Sequence, residues 1–272
     1  MIADGSSLAG SESSPRTPIV SLQRVTKTFS NATVALKDMT LDIGQGEFVS
    51  LLGPSGCGKS TALRIIAGLS GASGGRLVWP NERPGSRDHE ISFVFQEPTL
   101  MPWATVFANV HLPLKLKGES AGQARGRVME ALEMVGLEGF ADSYPRELSG
   151  GMKMRVSIAR ALVTKPKLLL MDEPFAALDE ITRFRLNNDL LRLWEEFGWT
   201  VIFVTHSVFE SVYLSNRIVV MAARPGRVVA DLAVNAPYPR DETFRTSHAY
   251  SDHCRQASDA LQAAMGGDDG QH

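Results

Sequence analysis

The residues with the clearest chemical potential form one glycine-rich stretch, Gly53-Pro54-Ser55-Gly56-Cys57-Gly58-Lys59-Ser60-Thr61. This stretch, here called the phosphate loop, fits the pattern G-x-x-x-x-G-K-[ST] in full, with an apolar run before it and a helical pattern after it. Glycines let successive backbone N–H groups point inward, and the following helix adds the positive end of its dipole. The loop therefore predicts a phosphate site, in which Lys59 reaches the β- and γ-phosphates of a nucleotide and Ser60 ligates Mg²⁺. A glycine-rich turn without a ligand is the alternative.

A second set of candidate residues closes the apolar run of residues 167–171, which is followed directly by Asp172 and Glu173. Asp172, at the carboxyl end of a predicted strand, would hold magnesium directly or through water. Glu173 would orient and polarise the attacking water. An apolar run that ends in two acids is weak by itself, but together with the phosphate loop it predicts a nucleotide-hydrolysing site.

A third candidate is the segment Leu148-Ser149-Gly150-Gly151-Met152, here called the signature segment. Ser149 is a plausible helix N-cap, and the two glycines leave backbone N–H groups uncovered at the positive end of that helix. The segment thus offers a second phosphate-binding surface, which a single active site does not need. A head-to-tail dimer does need it, so we expect Ser149 of one chain to close on the nucleotide of another.

The elements that must position these residues follow an alternating pattern. Residues 47–52 predict a strand, residues 59–67 a helix, and three further apolar runs predict buried strands over 167–171, 200–205 and 217–221. Alternation of this kind is typical of an α/β fold with a mainly parallel sheet.

Strand signals disappear between about residues 104 and 164. Met152, Val156, Ala159 and Val163 recur there at helical spacing, which predicts a helical subdomain inserted into the α/β core. A second helical stripe is predicted to pack in the core: Leu186, Leu190, Leu193, Trp194 and Phe197.

The chain is predicted to divide into a disordered leader over residues 1–17, a nucleotide-hydrolysing domain over 18–240, and a C-terminal helix with a loose tail over 241–272. Four histidines that fall in no motif are expected to lie on the surface: His89, His111, His248 and His253.

The composition restricts the classes of function. Net charge is −2, so no global field attracts nucleic acid or anionic lipid, and a hydrophobic fraction of 43% is ordinary for a globular protein. The two cysteines lie far apart and offer no disulfide framework, which favours a reducing compartment. The sequence shows neither an apolar run of about 20 residues nor a signal-peptide pattern, so we expect a chain that is not exported and does not span a membrane.

Taken together and in this order, the motifs resemble those of the ABC transporter ATP-binding family, over residues from about Ile19 to Leu232. The resemblance implies the ABC ATPase fold, with antiparallel N-terminal strands beside the P-loop NTPase core, and it implies ATP and Mg²⁺ as cofactors. By the same resemblance, Gln96 is the glutamine that senses the γ-phosphate and magnesium, and His206 is the switch histidine that contacts the γ-phosphate. Residues 177–179 are the D-loop, with Asp179 facing the partner subunit. Phe29 stacks on adenine, although core packing would explain an aromatic residue there equally well.

The sequence departs from the commonest family pattern at two positions. Met152 stands where many relatives have glutamine, and Ser207 follows the switch histidine where many have aspartate. Because methionine makes no strong hydrogen bond, a side-chain contact from Met152 to a nucleotide is in question, whereas Ser149 and backbone contacts are not affected.

A finer resemblance concerns residues 96–106, which contain Pro102 and Trp103, and residues 210–227. They are similar to the importer branch that includes nitrate, sulfonate, taurine and thiamine-precursor systems. This resemblance implies a homodimer of ATPase subunits at the cytoplasmic face of the membrane, a transmembrane permease and, indirectly, a solute-binding protein. The apolar segment 98–107 would dock on the permease, or Trp103 would pack into the helical subdomain.

Two other classes of protein compete with an importer subunit. A soluble ABC-class ATPase of DNA repair or translation would need a long coiled coil or two cassettes in one chain, and the stretch between Lys59 and Leu148 leaves no room for the former. A small-molecule kinase would have no need for the signature segment. An importer subunit is the favoured interpretation, without nucleic acid as a partner.

Overall fold

The computed structural model describes residues 18–80 and 90–266, so the predicted leader, His89 and the last residues of the predicted tail lie outside the described residues. In chain order the strands are β1 (Pro18–Thr28), β2 (Val34–Gly44), β3 (Phe48–Leu52), β4 (Gly74–Val78), β5 (Ile91–Val94), β6 (Leu168–Asp172), β7 (Thr200–Thr205), β8 (Arg217–Ala222) and β9 (Arg227–Ala233). The α-helices are α1 (Lys59–Ile66), α2 (Val106–Leu116), α3 (Ala121–Met134), α4 (Gly150–Leu162), α5 (Glu180–Phe197), α6 (Val208–Leu214), α7 (Glu242–Arg245) and α8 (His248–Gly266).

The larger sheet has the strand order β5-β6-β7-β3-β8-β9, parallel throughout except for the last pair. Every residue of β3, β6 and β7 is buried. Apolar strands covered on both faces form parallel sheets of this kind, and the predicted α/β fold is confirmed. The carboxyl ends of β3, β6 and β7 meet at one edge of the sheet, and the chain continues from them into the phosphate loop, Glu173 and His206.

A smaller antiparallel sheet, β2-β1-β4, lies at the N-terminal side, as the resemblance implies. Its apolar side chains share one buried cluster with α1 and with one face of β3, including Val20, Leu22, Leu63 and Ile66. Ala35 and Leu36 of β2 come close to Gly58. This sheet therefore supports the phosphate loop from one side.

The predicted helical insertion is present as α2, α3 and α4, which lie between β5 and β6 in the chain. Serine or threonine side chains cap all three helices: Thr105 caps α2, Ser120 caps α3 and Ser149 caps α4. The surface position expected for His111 is wrong, because its side chain is buried on the inner face of α2 and its Nε2 lies 3.0 Å from the Glu119 carbonyl oxygen. His248 is exposed and His253 is half-buried.

Helix α5 buries most of the predicted stripe, namely Leu186, Leu190, Leu193 and Trp194. Phe197 differs: it is exposed, and its ring stacks on that of Trp199 with centroids 4.8 Å apart. It occupies the last turn before Gly198, which ends the helix in the left-handed conformation. The helical period places Phe197 on the apolar stripe, but no part of the core extends far enough to cover it.

The C-terminal segment packs against α6 through the buried side chain of Arg240. Its guanidinium donates hydrogen bonds of 2.8 to 3.3 Å to the carbonyl oxygens of Val212, Tyr213, Ser215, Val234 and Ala236. Most of these carbonyls belong to the end of α6, where a helix leaves acceptors without intrahelical partners.

Across residues 18–80 and 90–266, none of the helices combines the length and apolar character needed to span a membrane.

Candidate nucleotide site

The phosphate loop joins β3 to α1 and is shaped by two glycines, Gly53 and Gly58, at positions where a side chain would clash with a neighbouring strand. Gly58 precedes α1 with φ of 91°, in the left-handed region, and a Cβ there would lie 2.7 Å from the Ala35 carbonyl oxygen. A Cβ on Gly53 would lie 2.6 Å from the Met221 carbonyl oxygen. Because β2 and β8 approach the loop this closely, its curved backbone is fixed by the surrounding sheet as well as by its own sequence.

Lys59 places a buried positive charge inside this curve. Its side chain is 5% exposed, and Nζ donates to the carbonyl oxygens of Gly53 at 2.7 Å and Pro54 at 3.0 Å. Cys57 Sγ lies 3.8 Å from the same nitrogen, and burial raises the pKa of the Cys57 thiol. A buried ammonium in a glycine-rich loop at a helix N-terminus suits an anion with several oxygens, such as a polyphosphate.

Ser60 and Asp172 meet at the base of the loop, where Ser60 Oγ donates to Asp172 Oδ1 over 2.7 Å. A hydroxyl and a carboxylate are the oxygen ligands that Mg²⁺ prefers. Burial raises the pKa of the Asp172 carboxyl, although the hydrogen bond from Ser60 acts in the opposite direction. The donor set therefore fits a magnesium ion, whose charge would offset the burial of this carboxylate.

The raised pKa of Asp172 predicts a stability difference that can be measured. The folded protein binds a proton at Asp172 more tightly than the unfolded chain does, so its free energy of unfolding rises as pH falls through the folded pKa. At neutral pH the ionised carboxylate lowers stability, and we expect Asp172→Asn to raise the Tm of the nucleotide-free protein. This gain should shrink in mildly acidic buffer. A Tm difference that is negative, or that does not change with pH, would contradict this assignment.

Glu173 and His206 face each other across the ends of β6 and β7. His206 Nδ1 lies 3.4 Å from Glu173 Oε2, and the imidazole is 60% exposed. The backbone N–H of Glu173 donates to the Val204 carbonyl oxygen over 3.1 Å, and Glu173 has φ of 47°. Residues with a side chain rarely adopt this conformation, which costs on the order of 1–3 kcal/mol and is concentrated at functional sites. The strained turn thus lies where the Glu173 carboxylate meets the His206 imidazole.

The signature segment lies at the start of α4, where Ser149 is exposed and its Oγ accepts a hydrogen bond from the Met152 N–H at 3.3 Å. Gly150 is exposed, whereas Gly151 is packed so closely that a Cβ would lie 2.5 Å from Thr182 Cγ2. Met152 is half-buried against the core. The start of α4 is exposed at Ser149 and Gly150, where a helix N-terminus can bind an anion. The close contact at Gly151 fixes α4 against α5.

The D-loop lies beside the signature segment. A Cβ on Gly150 would lie 3.6 Å from Leu178 Cδ2. Asp179 caps α5 by accepting a hydrogen bond of 2.9 Å from the Thr182 N–H, and this bond lowers the pKa of its exposed carboxyl. Ser149, Gly150 and Asp179 are exposed beside the buried Gly151, and these four residues form a group distinct from the one that surrounds the phosphate loop.

Gln96 and Phe29 are both exposed, and within the described residues neither joins the contacts that surround the phosphate loop. Gln96 is exposed beyond β5, the neighbour of β6, and within the described residues it makes no hydrogen bond to Ser60 or Asp172. Phe29 follows β1 and is 44% exposed, with Lys27 Nζ 5.4 Å from its ring centroid. An exposed ring at this point is free to stack on a ligand.

Sequence reasoning missed three residues that hold the loop containing His206: Thr205, Glu210 and Arg183. Thr205 Oγ1 donates to Glu210 Oε2 over 2.6 Å, and Arg183 Nε lies 3.8 Å from Glu210 Oε1. The only available signal was their position, since Arg183 follows Asp179 by one helical turn and Glu210 follows His206 by the same spacing. Spacing of this kind does not reveal that the two side chains meet.

Comparison with known proteins points to a single family. The sequence profile described as "ABC transporter" matches residues 36–176. The chain is 47% identical over 227 residues to the aliphatic sulfonates import ATP-binding protein SsuB of Bacillus cereus, covering 82% of this chain and 89% of that protein. It is also 47% identical over 225 residues to the uncharacterized ABC transporter ATP-binding protein MJ0412 of Methanocaldococcus jannaschii, with 82% and 84% covered.

Solved structures agree with this assignment. One is cbiO1 from Clostridium perfringens, part of the ABC transporter complex cbiONQ, with a TM-score of 0.72 and 31% identity over 80% of this chain and 89% of that chain. Another is the dimeric ATP-binding cassette MJ0796 in a post-hydrolysis state with ADP and Pi, with a TM-score of 0.69 and 38% identity over 80% of this chain and 100% of that chain. These relatives do not favour an ATPase of DNA repair or translation. The chain therefore belongs to the ABC transporter family, as an ATP-binding subunit that hydrolyses ATP.

Proposed function

We propose that this chain is the motor of an importer, driving a small nutrient of the nitrate, sulfonate, taurine or thiamine-precursor type through a separate permease at the cytoplasmic face of the membrane. The similarity to an aliphatic sulfonates import ATP-binding protein, 47% over most of both chains, carries this proposal. A solute-binding protein would deliver the cargo to the permease, so the ATPase subunit itself would never touch it.

In the proposed cycle, two copies of the chain enclose two ATP molecules, each bound by the phosphate loop of one copy and the signature segment of the other. Lys59 binds the β- and γ-phosphates, and Ser60, Asp172 and Gln96 would hold Mg²⁺, which would neutralise charge on the phosphate oxygens. Phe29 stacks on the adenine, while Ser149 and the N–H groups of Gly150 and Gly151 close on the γ-phosphate from the opposite side.

Hydrolysis then depends on positioning and on charge stabilisation. Glu173 orients the attacking water and accepts its proton, and His206 contacts the γ-phosphate from the end of β7. Asp179 faces the second copy across the contact. Loss of the γ-phosphate removes the contacts that it makes with both copies of the chain. The equilibrium then shifts toward the open dimer, and this opening moves the permease.

The segment that would dock on the permease is fixed in place by two buried or half-buried polar side chains. Asn109 is fully buried, and it accepts from the Met101 N–H at 2.7 Å and donates to the carbonyl oxygens of Met101, Ala104 and Thr105. Arg160 donates to the carbonyl oxygens of Pro98 and Thr99 at 2.8 and 2.9 Å. The loop is therefore ordered before any partner arrives, which lowers the entropy lost on binding.

This ordered loop holds Trp103 with 77% of its surface exposed. Because of this exposure, Trp103 does not pack into the helical subdomain. Its neighbours differ: Leu100 and Phe107 pack partly against the core, and Val106 is buried. A cavity of about 540 Å³ lies nearby, lined among others by Phe93, Phe95, Thr99, Leu112 and Leu116. A large exposed aromatic residue on a fixed loop beside an apolar groove is typical of a protein-binding surface. A short helix of the permease is the partner that we propose for it.

Trp103→Ala tests this proposal. In cells that lack the gene, wild-type protein should restore uptake of labelled alkanesulfonate, taurine, nitrate or a thiamine precursor. Trp103→Ala should lose most of that uptake and should no longer co-purify with membranes, because loss of an interface Trp costs about 2 kcal/mol or more. Its isolated ATPase activity and Tm should stay unchanged, as should all properties of Leu69→Ala, which removes an exposed apolar side chain elsewhere. Normal membrane binding and uptake by Trp103→Ala would show that the docking surface lies elsewhere, and wild-type failure with all four cargoes would contradict the nutrient class.

A further inference from the structure

The D-loop and the loop that carries His206 are joined by a chain of polar contacts through Arg183 and Glu210. We propose that these two are positioning residues, which transmit the state of the D-loop to His206. The inference rests on the proposed function, in which the D-loop faces a second copy of the chain. Through this route, contact between the D-loop and the second copy would change the position of His206 in the ATP-hydrolysing site.

At the D-loop end, Arg183 Nη2 donates a hydrogen bond of 2.9 Å to the Leu178 carbonyl oxygen. Leu178 lies directly before Asp179, and its side chain is close to Gly150. A displacement of the D-loop would therefore pull on the Arg183 guanidinium as well as on the start of α4.

At the other end, Glu210 controls the backbone on both sides of His206. Its Oε2 accepts from Thr205 Oγ1 at 2.6 Å, and the same hydroxyl accepts from the Ser207 N–H at 3.0 Å. The Ser207 hydroxyl in turn accepts from the Glu210 N–H at 3.3 Å and caps α6. The residue before His206 and the residue after it are thus both tied to one glutamate.

The link between the two ends is a partly closed ion pair. Arg183 Nε and Glu210 Oε1 are 3.8 Å apart, and both atoms are buried without a hydrogen-bond partner. The Glu210 side chain is only 11% exposed. A charge-assisted hydrogen bond of this type is about 2.7–2.9 Å long, so a shift of roughly 1 Å between α5 and α6 would close it. The Arg183 side chain is 32% exposed, so only its Nε is buried against the glutamate. An ion pair that can be open or closed gives the two loops two mutually consistent arrangements.

Arg183→Gln and Glu210→Gln test the link, with Arg192→Gln on the exposed face of the same helix as the matched control. We expect Arg183→Gln and Glu210→Gln each to lower kcat roughly tenfold, the size of effect typical for loss of a coupling contact. KM for ATP should stay unchanged, because neither substitution touches the phosphate loop. Since both changes break the same link, the double variant should be no slower than the slower single one. Arg192→Gln should match wild type. Glu210→Gln keeps its shape, so it carries the test if Arg183→Gln folds poorly.

Dimer formation separates positioning from a structural role. In a Glu173→Gln background, Arg183→Gln and Glu210→Gln should still form an ATP-dependent dimer in size-exclusion chromatography. Four results would each overturn the inference. Two concern kinetics in the single variants: a rise in KM that accounts for the lost activity, or wild-type kcat in both. The other two are loss of that dimer and additive effects in the double variant. A wild-type chain that neither hydrolyses ATP nor dimerises in the Glu173→Gln form would instead contradict the proposed function itself.

Discussion

Glu173→Gln is expected to bind ATP with near-normal affinity while hydrolysis falls by on the order of 10²–10⁴-fold, the range that a general base contributes. The amide keeps the shape of the side chain but cannot accept a proton from water. Lys59, Ser60 and Asp172 are untouched, so the nucleotide should still be held. With hydrolysis blocked, the closed state should persist, and the variant should run as a dimer in size-exclusion chromatography only when ATP is present.

The matched control for this prediction is Glu196→Gln, which changes an exposed acid near the end of α5. It should hydrolyse ATP like wild type and should show no lasting ATP-dependent dimer. Near-normal turnover by Glu173→Gln would show that another group activates the water. The strained backbone at Glu173 would then need a different explanation.

Ser149→Arg is expected to leave ATP binding to an isolated chain intact and to abolish most hydrolysis. The phosphate loop is unchanged, but a long cation replaces a small exposed N-cap on the surface that closes against the second copy. Both the bulk of the arginine and the lost cap would keep the α4 N–H groups away from the γ-phosphate. Nucleotide binding by fluorescence and steady-state ATPase assays on the same preparation measure the two effects separately.

Ser120→Arg provides the control, because Ser120 is an exposed N-cap on the neighbouring helix α3. Loss of either cap should cost about 1 kcal/mol of stability. If Ser120→Arg reduced hydrolysis as strongly as Ser149→Arg, the effect would come from destabilised helices and would say nothing about a shared site.

The parts of the fold that could be predicted from sequence are those that local patterns determine. The phosphate loop combines a buried strand, a set of glycines and a helix start in one continuous segment, so its type and its position at the sheet edge follow from that segment alone. The same holds for β6 and the two acids at its end. The helices α2 to α4 followed from periodicity and from the absence of strand signals.

What could not be predicted depends on which elements lie opposite one another. Phe197 fits its helical stripe as well as Leu193 does, but only the extent of the core decides which of them is covered. His111 has a polar side chain, yet its position on the inner face of α2 buries it and gives it a carbonyl partner. The meeting of Arg183 with Glu210 links two helices separated by β7, and no local pattern reports it.

Cross-linking between Ser149 and the phosphate loop tests the shared site most directly. Ser149 and Ser55 are both exposed, whereas the native Cys57 and Cys254 are buried, so Ser149→Cys and Ser55→Cys each place one reactive thiol on a chain. Both changes are made in the Glu173→Gln background, and the chains are treated with a short bis-maleimide separately and as a mixture. We expect a cross-linked dimer only in the mixture and only with ATP, because each Ser149 should face the phosphate loop of the other copy. Two results would contradict the head-to-tail arrangement. One is an ATP-bound dimer that gives no cross-linked product. The other is a cross-link within a single chain that carries both cysteines.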